Sequence, residues 1–526
     1  MAIGPTIGTG LFIGAGQALA VGGPASLFLS YIILSVLTFA MTTSVAEVST
    51  HSPSPHGTLV TNGYMYMSKS LAFASAYLRW YTLALFVPYE ITSAMVNLGL
   101  WKPGSTIAIR LVIITTIVVG CNFLPERIFK SSERLFTAIK IGTMATLFVL
   151  SLALGLGGVD AQPSWAFKYW KHPGAMNEYL VRGVSGRVLA FFQCLLDGSI
   201  AFGFAPELIV HHAEMPASLM PSVGESAILS AGIPGVVKAD VAQTAFPYIL
   251  SSLAMGVMAP FNDTRLTNNG TGSGFSPYLI GLKDAKIQIV PTIAMVAILL
   301  SAVASGRSFL YLSSRTLCAM SELGHAPSAF STRNRGHVPY LAVAASALFS
   351  CLAFVSVKIP STIMNTYLLR LVTSACFISS LVSCAIYIRF NGRLRAKGVA
   401  KRYSFSVQPF ATYFGMAIST LLLLGGGLWA APKGNLTGSR ATRLIIAYVN
   451  IGVFSLLYLV HRFQEFVPVA EIERQMDMGG RSHGDRAGPR EPRIQKTNPH
   501  RTEVDVIPEA SGAFELRVSQ ATFREQ

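Results

Sequence analysis

Glu90, Lys140 and Glu207 each lie inside an apolar stretch long enough to cross a membrane. A charge at mid-membrane costs at least about 2.5–3.5 kcal/mol, so such a residue normally faces the bundle interior or a cavity. Two carboxylates and one amine placed this way could exchange protons. Lys140 could alternate between charged and neutral forms; the alternative is that it snorkels to an interface. Glu90 follows Pro88 by two residues and reads as a gate or proton-pathway carboxylate, or as a structural anchor. Glu207 follows Pro206, which removes a helical N–H. It could organise a site or relay protons, or it could hold an unwound turn by hydrogen bonds.

The elements that must position these groups show a break of their own. Gly4-Pro5-Thr6-Ile7-Gly8-Thr9-Gly10-Leu11-Phe12 opens an apolar segment that also carries Gly14 and Gly16. Each interior Gly costs a helix about 1 kcal/mol relative to Ala, and an interior Pro about 3. The helix is therefore expected to break at Gly8-Thr9-Gly10. Broken helix in a membrane is tolerated where it is buried in protein or lines a cavity. Freed N–H groups there can hold a carboxylate, and freed carbonyls an ammonium. A zwitterionic amino acid needs both. The alternative is a small-residue packing face between helices. A second stretch, Gly198-Ser199 and then Gly203 to Pro206, also loses helix-forming character in mid-span. Phe202 and Phe204 flank Gly203 and could wall a substrate side chain, or be plain core.

The whole chain has membrane composition. It has 526 residues, 13% of them charged, and a mean hydropathy of +0.49. An all-α polytopic membrane protein with about twelve transmembrane helices is expected. The spans read as roughly 6–22, 24–46, 71–97, 106–124, 134–156, 188–210, 241–259, 287–313, 339–357, 364–388, 408–430 and 443–463. The net charge of +16 raises nucleic acid as a partner, but the placement of the basic residues points to a lipid bilayer instead. They concentrate in alternate short loops, at Arg127, Lys130 and Arg134, at Arg315, Arg333 and Arg335, and at Arg389 to Arg402. That bias puts both termini in the cytosol. Asn262, Asn269 and Asn435 begin Asn-x-Thr acceptor sequences and fall in loops expected outside. Six cysteines in or beside spans lack metal-ligand spacing and read as free thiols, with no metal site. Trp165, Tyr169 and Trp170 fit an interfacial belt. From 464 to 526 the chain turns Gly/Arg/Pro-rich and is expected to be a disordered cytosolic tail.

The motifs taken in order carry a resemblance. Gly4-x-x-Ile7-Gly8-Thr9-Gly10-Leu11-Phe12 is followed by Gly23-Pro24, Glu47 with Pro53 and Gly57, and Pro88-x-Glu90. Then come Ser164-Trp165-x-Phe167-x-Tyr169-Trp170, Phe204-Ala205-Pro206-Glu207, Pro260-x-Asn262-Asp263 and Gly336-x-Val338-Pro339-Tyr340. Over residues 2–465 this resembles the fungal amino-acid permeases of the amino acid–polyamine–organocation superfamily. The resemblance implies two inverted five-helix repeats plus two further helices, with spans 1 and 6 broken around a midplane site. It implies a secondary active amino-acid transporter, proton-coupled and working by alternating access, in the plasma membrane. Substrate would meet Ile7, Gly8, Thr9 and Gly10 on span 1 and Phe202, Gly203, Phe204 and Ala205 on span 6. Related proton-coupled carriers place a Lys on span 5, here Lys140, where sodium-coupled relatives hold an ion. The tail would answer to trafficking machinery, and no cofactor is implied.

Four features depart from the family pattern. The chain starts almost inside span 1, as a truncated start would. Pro5 and Ala205 stand where Gly is usual. Arg307 stands in span 8 where the family tends to have Asn, and it needs a partner or a cavity. Met215 to Asp240 reads as a Ser/Pro/Gly-rich insert. Arg307 makes a non-transporting amino-acid sensor the alternative function. The start and the insert make an inactive product of a truncated permease gene another. An intramembrane enzyme lacks support, since no paired carboxylates or nucleophile–base constellation is present.

Overall fold

The computed structural model describes residues 8–51, 58–101, 107–156, 167–202, 225–267, 274, 276–285, 289–334, 336–401, 403–427 and 440–466. By its internal contacts the chain divides into Met1–Phe466 and Val467–Gln526. The described residues all belong to the first unit. They form helices and connecting turns, with no strand among them. Nine helices are long and apolar enough to cross a membrane, and two shorter apolar ones accompany them. The first of the nine runs through a kink and serves as two spans, so all twelve expected spans fall on helices.

Spans 1 and 2 are a π-helical turn, Gly10–Gly14, followed by α1 (Ala15–His51). They part at Gly23, whose φ of 81° only glycine adopts without strain. Pro24 starts the second span. The kink is held by chain preceding span 6: the Ala25 amide donates to the Ala175 carbonyl at 2.9 Å, and the Asn177 amide to the Gly22 carbonyl at 3.1 Å. A short helix, α2 (Thr58–Tyr66), leads into α3 (Lys69–Trp101, span 3). Span 4 is α4 (Ile107–Gly120) with a 3₁₀ turn at Cys121–Phe123, and span 5 is α5 (Glu126–Gly155). Span 6 is α6 (Val184–Gly198), which tightens into 3₁₀ at Ser199–Ala201. The helices α7 (Glu225–Met258), α9 (Val290–Glu322) and α11 (Ser361–Ala396) are spans 7, 8 and 10. A short α8 (Pro277–Asp284) lies between the first two of these. Span 9 is α10 (Tyr340–Ala347) continued by 3₁₀ at Leu348–Val357. Spans 11 and 12 are α12 (Phe410–Gly425) and α13 (Arg440–Phe466).

Two boundaries move. At eight and nine residues, α8 and α2 are too short to span. The described part of the expected 215–240 insert is helical, because α7 starts at Glu225 and runs unbroken into span 7 despite Pro234 and Pro247. Small residues such as Ala227, Ala231 and Ala239 permit that helix, and the Ser, Pro and Gly among them hid it.

One apolar cluster joins spans 1, 2, 3, 5, 6, 7, 8, 10 and 11; another joins spans 3, 4, 6, 8, 9 and 10. The outward faces stay apolar as well, as Val149 and Leu456 show at 61% and 62% exposed. Exposed apolar residues on spanning helices are lipid-facing surface. At the far end of α1, the buried Glu47 carboxylate accepts from Tyr387 Oη at 2.8 Å and from Lys401 Nζ and the Phe405 amide at 2.7 Å each. The segment between spans 10 and 11 is thereby tied to span 2.

Candidate functional site

The glycine-rich start of span 1 and the intramembrane charges come together; from Thr9 onward the described chain is helical, with a π turn over Gly10–Gly14 in place of the break expected at Gly8-Thr9-Gly10. Thr9 Oγ1 donates to Glu90 Oε2 at 2.8 Å, with both residues buried. A Cβ on Gly8 would lie 2.8 Å from Glu90 Oε1 and 3.1 Å from Ser305 Oγ, so both groups crowd the backbone there. Ser305 Oγ in turn accepts from Lys140 Nζ at 2.6 Å, and Lys140 is 2% exposed. One polar chain therefore runs Thr9–Glu90, past Gly8, to Ser305–Lys140. It links spans 1, 3, 8 and 5. Gly306 lets span 8 approach span 3, since a Cβ there would sit 3.3 Å from that of Glu90.

Spans 1 and 6 touch at backbone level. A Cβ on Gly10 would lie 3.2 Å from both the amide N and the Cα of Ala201, in the 3₁₀ turn of span 6. A side chain there would force the two backbones apart by a few tenths of an ångström. The π turn at Gly10–Gly14 and the 3₁₀ turn at Ser199–Ala201 both depart from the regular α ladder, the local irregularity that accompanies function in helices. Phe202 ends the span 6 turn. Its ring stands edge-on to Tyr31, with centroids 5.5 Å apart, and to Tyr248 at 4.9 Å. With Thr38, Ser199 and Cys376 it lines a cavity of about 30 Å³, room for about one water.

Of the residues singled out from sequence, the structure joins Gly8, Thr9, Gly10, Glu90 and Lys140 in one constellation, and Phe202 directly follows Ala201, which Gly10 approaches. Ile7, Gly203, Phe204, Ala205 and Glu207 lie outside the described residues. Among the acceptor asparagines, Asn262 is exposed in the turn after α7, whereas Asn269 and Asn435 lie outside the described residues. Asp263, beside Asn262, is pushed up by burial, but its hydrogen bonds to Arg265 and the charge of that guanidinium outweigh this. The Asp263 carboxyl is therefore held below the usual range. Arg265 also grips Asp284 at 2.8 Å through two nitrogens.

Arg307 has the partner that its position demands. Its Nη2 lies 2.6 Å from Glu133 Oε2 on span 5, with the two side chains 4% and 7% exposed. A second buried pair, Arg370 of span 10 with Asp197 of span 6, sits just before the span 6 break. Asp197 also accepts from Gln193. Ser305, Glu133, Asp197 and Arg370 are absent from the sequence-based site. Glu133 was findable: it precedes Lys140 by seven residues, which places both on one helix face.

Comparison with known proteins gives a consistent set. A family model described as "Amino acid permease" matches residues 1–472. A Schizosaccharomyces pombe protein described as a probable proline-specific permease is 31% identical over 462 residues, covering 87% of this chain and 81% of its own. The proline-specific permease of Emericella nidulans is 30% identical over 483 residues, covering 90% and 86%. Among solved structures, the Eremococcus coleocola manganese transporter superposes with a TM-score of 0.55 over 87% of this chain and 92% of its own. At 14% identity that likeness speaks to the fold alone.

Proposed function

We propose a transport cycle from one premise: the chain belongs to the amino acid permease family and is a secondary amino-acid transporter, an integral multi-pass membrane protein. In that cycle the substrate is a neutral amino acid of the proline class. It moves with a proton, by alternating access of a site between the irregular turns in spans 1 and 6. The α-carboxylate is received by N–H groups at Ile7 to Gly10. The ammonium is received by carbonyls freed around Phe202 to Ala205. The relatives named for proline support the substrate class. Phe202, between Tyr31 and Tyr248, offers a flat apolar wall to a pyrrolidine ring.

The observation that carries coupling is the polar chain from Thr9 through Glu90 and Gly8 to Ser305 and Lys140. A backbone that meets substrate is thereby in register with an intramembrane acid and an intramembrane base. Binding on span 1 and proton exchange at Glu90 or Lys140 then bias one movable element. Glu207 and the carbonyls beyond Phe202 belong to the same proposal. So do cytosolic termini, residence in the plasma membrane, glycosylation at Asn262 and trafficking control on the tail. The sensor alternative loses its motive, because Arg307 is neutralised by Glu133 and leaves Lys140 on Ser305.

The test is uptake of labelled L-proline in cells lacking their own permeases, competed by each of the other common amino acids. Coupled carriage predicts competition confined to small neutral amino acids. It also predicts loss of acid-stimulated uptake in Glu90→Gln and Lys140→Met at normal surface levels. Equal competition by lysine and arginine would refute the substrate class. Full acid stimulation in both variants would refute the coupling residues.

A further inference from the structure

Spans 5 and 8 meet at two successive rungs. The first is Lys140 to Ser305. The second, two turns earlier on span 5, is built around Glu133. Its Oε2 accepts from Arg307 Nη2 at 2.6 Å and from Ser308 Oγ at 2.8 Å. Arg307 Nη1 donates to Ser132 Oγ at 2.6 Å. The guanidinium lies 4.3 Å from the ring centre of Phe129 and 5.0 Å from that of Phe136. From span 4, Asn122 Nδ2 donates to the Arg307 carbonyl at 3.1 Å. The arrangement is close to fully buried and fixes Arg307 from two neighbouring helices, spans 4 and 5. Since Ser305 is two residues from Arg307, whatever holds Arg307 also sets where Ser305 meets Lys140.

We propose that the Glu133–Arg307 pair is a positioning device for proton coupling: it holds Ser305 in register with Lys140 and, by the balance of its two charges, sets the pH at which transport is half-maximal. The proposal rests on the coupled-transport reading above. Glu133 stands on the same helix as Lys140, Glu90 reaches the site from span 3, and span 7, which packs on span 5, carries the buried Asp240. The span 1 residues at the site, Gly8 and Thr9, carry no charge. On span 7, Lys238 is turned to the rings of Tyr403 and Phe405. Seven residues of helix put Glu133 about 10 Å from Lys140 along the axis. Over that distance in protein a unit charge alters a proton equilibrium by about one pH unit. The carboxylate favours the ammonium and the guanidinium opposes it, so losing one partner shifts transport in a direction set by the charge that remains.

The experiment measures uptake of a uniformly labelled mixture of common amino acids against external pH, with and without a protonophore, in the full-length wild type, Glu133→Gln, Arg307→Gln, Arg307→Lys and the Glu133→Gln/Arg307→Gln double variant. Surface protein is quantified for each. Glu133→Gln is expected to move the half-maximal pH about one unit toward acid, and Arg307→Gln about one unit toward alkali. Arg307→Lys stays near wild type; the double variant keeps the wild-type half-maximal pH but loses maximal uptake, because its charges balance while Ser305 is no longer held, and neither leaves an uncompensated buried charge if a single variant fails to reach the surface. Shifts of the same sign, no shift at normal surface level, or a double variant displaced like a single one would overturn the proposal. Wild-type uptake insensitive to the protonophore would overturn the coupling reading itself, whatever the variants do.

Discussion

Gly10 sits where the backbones of spans 1 and 6 meet, and one methyl group is enough to disturb it. Gly10→Ala would place a Cβ 3.2 Å from main-chain atoms of Ala201, which cannot rotate away as a side chain would. Overpacking of this kind costs about 1–3 kcal/mol. Transport should fall by about tenfold or more while surface biotinylation shows normal protein. Unchanged uptake would mean that spans 1 and 6 do not need this approach. Gly8, Thr9 and Gly10 were legible in the sequence because a glycine's cost to a helix is local and needs no partner. Glu90 and Lys140 were legible because an intramembrane charge demands explanation wherever it points. Ser305 was not: a serine on an apolar helix is unremarkable until a lysine from another span is found on it. The pair Asp197 and Arg370 escaped for a related reason. Each is far from the other in sequence, and only the fold brings them together. Their side chains are 3% and 5% exposed. Removing one partner should destabilise by about 3–5 kcal/mol, because the other charge stays buried. Asp197→Asn is therefore expected to lower surface protein, and Asp197→Asn/Arg370→Gln to restore much of it. Equal losses from single and double variants would show that the pair is not the cause.

At the scale of elements, the number of spans follows from apolar length, and the irregular π turn at the start of span 1 from its glycines. What length cannot show is how neighbouring spans share one run of helix. Spans 1 and 2 pass through Gly23 with little interruption, held by Ala175 and Asn177 from a distant segment. Likewise, α7 starts well before its apolar part, since Ser, Pro and Gly at one end of a long helix resemble a loop when read locally. The connection between spans 7 and 8 gives a pH prediction. Arg265 ties Asp263, after α7, to Asp284 at the end of α8. The Asp263 carboxyl is held below its usual range, so its stabilising contribution is complete above the unfolded value. That contribution is lost as pH falls through the lowered folded value. Amide exchange in residues 261–267 and 276–285 should rise between neutral pH and about pH 3 relative to the intrinsic rate. Equal protection at both values would show that the ion pairs do not hold this connection.

At the scale of the molecule, the irregular turns in spans 1 and 6, the intramembrane acid and base and the lipid-facing outer helices describe a carrier rather than a receptor with a fixed pocket. The comparisons establish the family and the class of activity. They leave the energy source to the residues, and Thr9, Glu90, Ser305 and Lys140 form the one constellation among the described residues that joins the start of span 1 to groups able to hold a proton. The most direct measurement is accumulation of labelled L-proline in vesicles reconstituted with the full-length purified protein, under an imposed inward proton gradient and no other ion gradient. Coupled carriage predicts transient accumulation above the external concentration, abolished by a protonophore and absent in Lys140→Met. Uptake that only equilibrates, unaffected by the gradient, would contradict it.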